Sequence, residues 1–287
     1  MATAAWSTVF RLWARKLEGA LGLNNGGGLS FVVDDSNPCS VAWTFGDSFT
    51  ITDPSLIPTC LLAALVGLYG FRTISQHSNT RGHVVYAMSF LMFACMMTDA
   101  MFVHCFLASQ KTLLSYLVGL IDVGLTSSIG LSFLYNGLVD VGVMKENTLS
   151  SFVVMFGSYA LIFCAWVYEF QHSIRDGFLI LYLGIIMVGC GSYCITQVYS
   201  LYKMGRWEGS GWLGVAGLAG GVGVAAIFTN TWLCTNVSPY LSGEFVWFLL
   251  SDVAMWGILN YFLNHQVALT PTKEKDQVTY NKLTSQV

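Results

Sequence analysis

Residues 243–262 read GEFVWFLLSDVAMWGILNYF, a stretch whose charged residues are Glu244 near its start and Asp252 near its middle. A helix of this length is about 30 Å long, the thickness of the hydrocarbon core of a bilayer. The stretch therefore reads as a membrane span, and Asp252 as the residue that needs a reason. A charged side chain at mid-bilayer costs about 2.5–3.5 kcal/mol on insertion scales, so such a residue marks a functional site by default.

The rest of the chain has the same character. Of its 287 residues, 54% are hydrophobic and 10% charged, whereas a soluble domain carries about 25% charge. Apolar segments recur at 56–75, 83–107, 112–137, 149–170, 177–202, 211–234 and 244–264, each near the span length. The expected fold is all-α: a bundle of seven transmembrane helices over 56–264, seated in a lipid bilayer of the plasma membrane or an endomembrane.

Lys and Arg near the segment ends set the orientation. Arg72, Arg81, Lys145, Lys203, Arg206, Lys273, Lys275 and Lys282 fall on one side. Lys111 and Arg175 fall on the other, with the more distant Arg11, Arg15 and Lys16. The bias places the N-terminus outside and the C-terminus in the cytoplasm. The sequon Asn236-Val237-Ser238 then lies outside, which makes Asn236 a candidate glycosylation site.

The flanks are polar. Residues 1–22 carry Trp6, Phe10, Trp13 and Leu17 at helical spacing, an amphipathic helix for a membrane surface or for packing on the protein. Their apolar run is too broken for a secretory signal. Residues 23–55 form an extracytoplasmic polar segment, and 265–287 a disordered cytoplasmic tail. The tail ends in Ser285-Gln286-Val287, the pattern of a PDZ ligand. It also holds Tyr280-Asn281-Lys282-Leu283, the pattern of a sorting signal.

Cys95, Cys164, Cys190 and Cys194 lie inside apolar segments, as small buried hydrophobes do. Cys39, Cys60, Cys105 and Cys234 fall near one membrane face, where an oxidising compartment would allow a disulfide among them. The pairing does not follow from spacing. No long basic run points to nucleic acid, no zinc-type spacing occurs, and no cofactor is expected. The glycines of 211–223 follow no strand and precede no GK[ST], so they are not a phosphate loop. Their three- and four-residue spacing suits close helix packing, or contact with a membrane-protein partner.

Three aspartates lie within spans: Asp99, Asp122 and Asp252. Counted from the outer ends of segments two, three and seven, all are roughly 12–15 Å deep, so three carboxylates are expected to share one chamber. No Lys or Arg lies in those three spans. At least one carboxyl is then expected to hold a proton near neutral pH, unless a cation sits there. His104 adds a proton-accepting group at the mouth. Thr98, Ser115, Tyr116, Thr126, Ser127, Ser128 and Ser251 offer hydroxyls. The plainer alternative is that each Asp bonds a hydroxyl or backbone group of a neighbouring helix. Glu169, Glu244 and Asp140 sit at segment ends and are expected to be solvated.

Segments three and seven resemble microbial (type 1) rhodopsins. That family's third helix carries Asp-x-x-x-Thr, here Asp122-Val-Gly-Leu-Thr126. Its seventh carries Asp and, four residues later, the retinal-binding Lys; here the pair is Asp252 and Trp256. Glu244 stands where proton-pumping members have a Glu, and Gly119 where the family has an Arg. The resemblance implies seven helices, an external N-terminus and an Asp pair acting on protons or small cations. With Trp256 at the lysine position there is no amine for a Schiff base, so no covalent retinal is implied.

Seven-span zinc hydrolases that resemble ceramidases and adiponectin receptors also place a His and an Asp on helices two and three, as His104 and Asp122 stand here. Their Ser-x-x-x-His fails at Ala100, and their His pair on the last helix is reduced to His265. Catalytic zinc needs three protein ligands. The expectation is thus a non-enzymatic protein that senses or moves protons or small cations. A structural subunit of a larger membrane complex and a zinc-dependent lipid hydrolase are the alternatives.

Overall fold

The computed structural model describes residues 41–45, 49–107, 112–146, 148–172 and 177–267. The expected amphipathic helix over 1–22, residues 23–40 of the polar segment, and the tail motifs from 268 onward lie outside the described residues, as do Lys111 and Arg175.

The described chain opens with a hairpin that the all-α expectation did not include. β1 (Ala42–Phe45) pairs antiparallel with β2 (Phe49–Thr52), with Trp43 opposite Ile51 and Thr44 opposite Thr50. Asp53 closes it with φ of 45°, a left-handed conformation that Asp tolerates better than most side chains. The Asp53 N–H donates to the Val41 carbonyl at 2.7 Å, and the Val41 N–H to Asp53 Oδ1 at 3.2 Å.

Helices follow: α1 (Leu56–Ser75), α2 (His83–Met101), α3 (Leu113–Asp140), α4 (Leu149–His172), α5 (Gly177–Ile186), α6 (Ser192–Met204), α7 (Ser210–Phe228), α8 (Asn230–Asn236) and α9 (Gly243–Tyr261). Three wider π-helical segments extend or join them. Phe102–Leu107 continues α2, Met187–Gly191 joins α5 to α6, and Phe262–Gln266 continues α9. Seven of the resulting helices are long and apolar enough to cross a membrane. Large apolar side chains stand out from them, among them Leu65, Leu161, Ile195 and Leu218, each about two-thirds exposed or more. Water would penalise such a surface and hydrocarbon accepts it. The chain thus has the make-up of a multi-pass membrane protein.

α3 and α4 run two to three residues past the expected 137 and 170, to Asp140 and His172, and two other boundaries differ in kind. Segment six ends at Phe228 rather than 234, because the Thr229 hydroxyl turns back onto the carbonyls of Ala225 and Ala226 and a separate short helix follows. Residues 265–267 belong to the last helix and not to a tail: His265 and Gln266 are buried.

The core is aromatic. Tyr86 and Phe90 of α2, Phe133 of α3, Tyr193 of α6, and Tyr261 with Phe262 at the end of α9 are almost completely enclosed. A second cluster joins Leu120 and Val123 of α3 to Trp166 and Phe170 of α4 and Ile185 of α5. Within it the Trp166 indole N–H donates to Ser127 Oγ at 2.8 Å. α9 packs mainly on α7 and α1; α2 lies between α1 and α3. The α7–α9 approach depends on Gly257, where a Cβ would lie 2.9 Å from the Trp212 carbonyl oxygen. The glycines of α7 contribute less than their spacing suggests. Gly223 meets Trp247, but Gly211, Gly214, Gly220 and Gly221 face open space.

Candidate functional site

The hairpin packs on the π-helical segment after α2, so it marks one end of the helices. Glu244, at the start of α9, is at this end. Asp252 lies two turns further along α9. It is 4% exposed, and neither of its carboxylate oxygens has a hydrogen-bond partner. Asp99 on α2 is half-buried, and its Oδ2 is also without a partner. Asp122 on α3 is half-buried and lies in electrostatic range of Asp99, His104 and Glu244. His104 Nδ1 stands 3.6 Å from Glu244 Oε2, and its ring meets Phe248 edge-on at 5.7 Å.

Asp99, Asp122 and His104 therefore gather as one group with Glu244. Asp252 joins less directly: the Cys60 thiol of α1 is in range of both Asp252 and Asp122. Cys60 and Cys105 carry free thiols. Cys234, on α8 at the same end, is disulfide-bonded, and Cys39 lies outside the described residues.

Two further carboxyls stand at this end. Glu244 was expected to be solvated; its side chain is 48% exposed and paired with His104. Asp53 is the other. It lies outside the long helices, and burial pushes its carboxyl from the ordinary 3.8 up to about 6. Its hydrogen bond from Val41 opposes that rise; the charge of Glu244 adds to it and His104 offsets part. The Cys105 thiol also donates to the Asp53 carbonyl at 3.6 Å, tying the hairpin to the π-helical segment.

The hydroxyls expected to support the carboxylates are mostly used elsewhere. Thr98, Ser127, Ser128 and Ser251 each donate to the carbonyl four residues earlier on their own helix. Thr126 does likewise to the Asp122 carbonyl at 3.0 Å and also touches Met96 Sδ at 2.9 Å. Such back-bonding is what Ser and Thr do inside a helix. It leaves the aspartates without the neighbours the sequence offered.

Trp256 stands apart from these groups. It is 41% exposed and stacks on Tyr69 of α1, ring centroids 5.8 Å apart, at the periphery of the helices. Asn236 is exposed near the end of α8, its amide donating to the Trp232 carbonyl. Of the other end residues, Glu169 is buried. Asp140 is not merely solvated: its Oδ2 accepts from the side-chain amides of Gln197 and Gln266.

No family model, curated protein or solved structure matches this chain. Carboxylates with unmet hydrogen-bonding capacity, and a single imidazole at the mouth, can take up and pass protons. They can also coordinate a cation through oxygen. Among the described residues, no three His, Cys, Asp or Glu side chains gather closely enough to hold a metal ion.

Proposed function

We propose that this protein is a rhodopsin-like integral membrane protein without covalent retinal that senses or moves protons, or a small cation, through Asp99, Asp122 and Asp252. The reading is carried by one observation: Asp252 is buried on an apolar helix with both oxygens unpartnered. A charged carboxylate in that state is strongly unfavourable, so the site is stable only with a proton or cation bound. Releasing and rebinding that charge is the elementary step of sensing or transport. His104 and Glu244 lie between the interior and the hairpin end and provide the exchange point.

The proposed orientation is N-terminus outside and C-terminus cytoplasmic. The charge bias supports it, and so does the disulfide at Cys234, since disulfides persist in oxidising compartments. The sequon at Asn236 lies two residues from that cysteine and would then be external.

The test is proton flux in proteoliposomes with an entrapped pH dye and an imposed potential. Wild type is expected to move protons, and Asp122→Asn and Asp252→Asn are each expected to abolish the signal. Flux that survives both substitutions would sink the reading.

A second reading, a subunit of a larger membrane complex, is favoured by the open glycines of α7. Close helix approach in lipid uses such faces. Co-purification of stoichiometric membrane partners in mild detergent would support it, and a monodisperse small oligomer would oppose it.

A further inference from the structure

A second polar cluster lies at the end of the helices away from the hairpin. Asp140, in the last turn of α3, accepts at Oδ2 from Gln197 Nε2 at 2.7 Å and from Gln266 Nε2 at 3.1 Å. Gln197 is fully buried on α6, and its Oε1 accepts from the Tyr261 hydroxyl at 2.7 Å. The hydroxyls of Tyr86 and Tyr193 meet at 2.9 Å, and both tyrosines lie in electrostatic range of Asp140. Four helices thus converge on one carboxylate. One turn before it on the same face of α3 is Asn136, 1% exposed, with neither its side-chain oxygen nor its nitrogen hydrogen-bonded.

Asn136 Oδ1 lies by the Gly82 turn at the start of α2, 3.1 Å from where a Cβ there would stand. A buried amide with no partner is costly, and this one is one helical turn from the Asp140 carboxylate. The nearby charges do not pair with that carboxylate. The Arg81 guanidinium donates to the Val139 carbonyl, and Glu146 accepts from the Gly82 N–H at 2.7 Å. Arg81 and Glu146 are both in range of Asp140 and oppose one another there.

We propose that this cluster is a binding site for one small monovalent cation, held by the Asp140 carboxylate with the Asn136 and Gln197 side-chain oxygens. Hard cations take oxygen ligands, and dedicated divalent sites gather several carboxylates. One carboxylate among neutral amides and phenols matches a single positive charge. As the side chains stand, Gln197 Nε2 faces Asp140 and its Oε1 accepts from Tyr261 and, at 3.4 Å, from Gln266 Nε2; ion binding turns the Gln197 amide over, so that Oε1 faces the ion and Nε2 donates to the Tyr261 oxygen, and it gives up the Gln266 contact. A water molecule could fill the same space but would leave the charge of Asp140 unbalanced, so only an ion makes stability depend on which cation is present.

The experiment is thermal unfolding of the purified full chain in detergent, titrated with sodium, lithium or potassium chloride against choline chloride at constant ionic strength. A saturable rise in Tm is expected with at least one alkali cation, about 2–3 °C at ten times the dissociation constant. Asp140→Asn is expected to remove the rise. Should that variant not fold, Asn136→Leu carries the same test. Asp122→Asn and Asp252→Asn are expected to keep it, which separates this site from the proposed proton site. The inference is overturned if wild type shows no cation-specific rise. It is equally overturned if the rise survives Asp140→Asn or Asn136→Leu, or disappears in Asp122→Asn.

Discussion

Replacing Asp252 by Val should stabilise the protein while removing its proposed activity. On insertion scales an Asp at the centre of a span costs about 2.5–3.5 kcal/mol and an aliphatic residue is favourable by about 0.3–0.6. The swap is then worth at most about 3–4 kcal/mol. Two effects reduce it. A carboxyl that already holds a proton forfeits only the cost of an unpaired buried polar group, about 1–3 kcal/mol. Val is also slightly larger than Asp, and overpacking costs of order 1 kcal/mol. The net expectation is a gain of about 1–2 kcal/mol, or roughly 2–3 °C in Tm. The same substitution at Asp140 gives the opposite sign. It strands the amides of Gln197 and Gln266 that donate to Oδ2, a loss of about 1–3 kcal/mol. Thermal or SDS-driven unfolding in detergent, followed by near-UV circular dichroism, reads both. If Asp252→Val is less stable than wild type, the carboxyl has a structural partner and the argument from its unmet oxygens fails.

Other outcomes follow from particular contacts. The Asp53 carboxyl titrates at about 6 instead of 3.8; protonation therefore favours the docked hairpin, and this contribution is full below pH 3.8 and lost as pH rises through about 6. Backbone amide exchange of residues 49–52, corrected for intrinsic rates, should be slower at pH 5 than at pH 7.5, and Asp53→Asn should flatten the difference. Trp166→Phe removes the indole donor to Ser127 inside the second core cluster. It should cost about 0.5–1.5 kcal/mol in unfolding experiments, without altering flux. Trp256→Lys incubated with all-trans-retinal should show no protein-shifted visible band, since position 256 stacks on Tyr69 at the periphery; such a band would place the residue inside an enclosed pocket.

The spans were legible because a bilayer leaves few options: about twenty apolar residues with satisfied backbone must be a helix. The grouping of Asp99, Asp122 and His104 was approachable from depth alone, since distance along a helix is fixed by its rise. What depth does not give is azimuth. Trp256 follows Asp252 by four residues and still ends at the rim, where a large ring spreads past the edge of a buried stripe. The Asp140 cluster was hidden for another reason. Its partners Gln197 and Gln266 come from segments 57 and 126 residues away and carry no pattern of their own. Ser and Thr misled in the opposite direction: their presence in a span suggested support for carboxylates, and their own helix carbonyls took most of them.

The π-helical segments set the direction in which polar side chains of both clusters point. In an α-helix, residues five apart point about 140° away from each other. In a π-turn, with roughly 4.4 residues per turn, they diverge by only about 50°. Asp99 and His104 are five apart as α2 passes into Phe102–Leu107, and both lie in range of Asp122. Tyr261 and Gln266 are five apart across Phe262–Gln266, and both reach Gln197. One surplus residue in each helix thus swings a polar side chain back onto the face of its predecessor. Deleting a single residue from either segment would leave length, composition and hydropathy almost untouched while rotating His104 or Gln266 away from its cluster. The register of these two helices, rather than their apolar content, aims their polar groups.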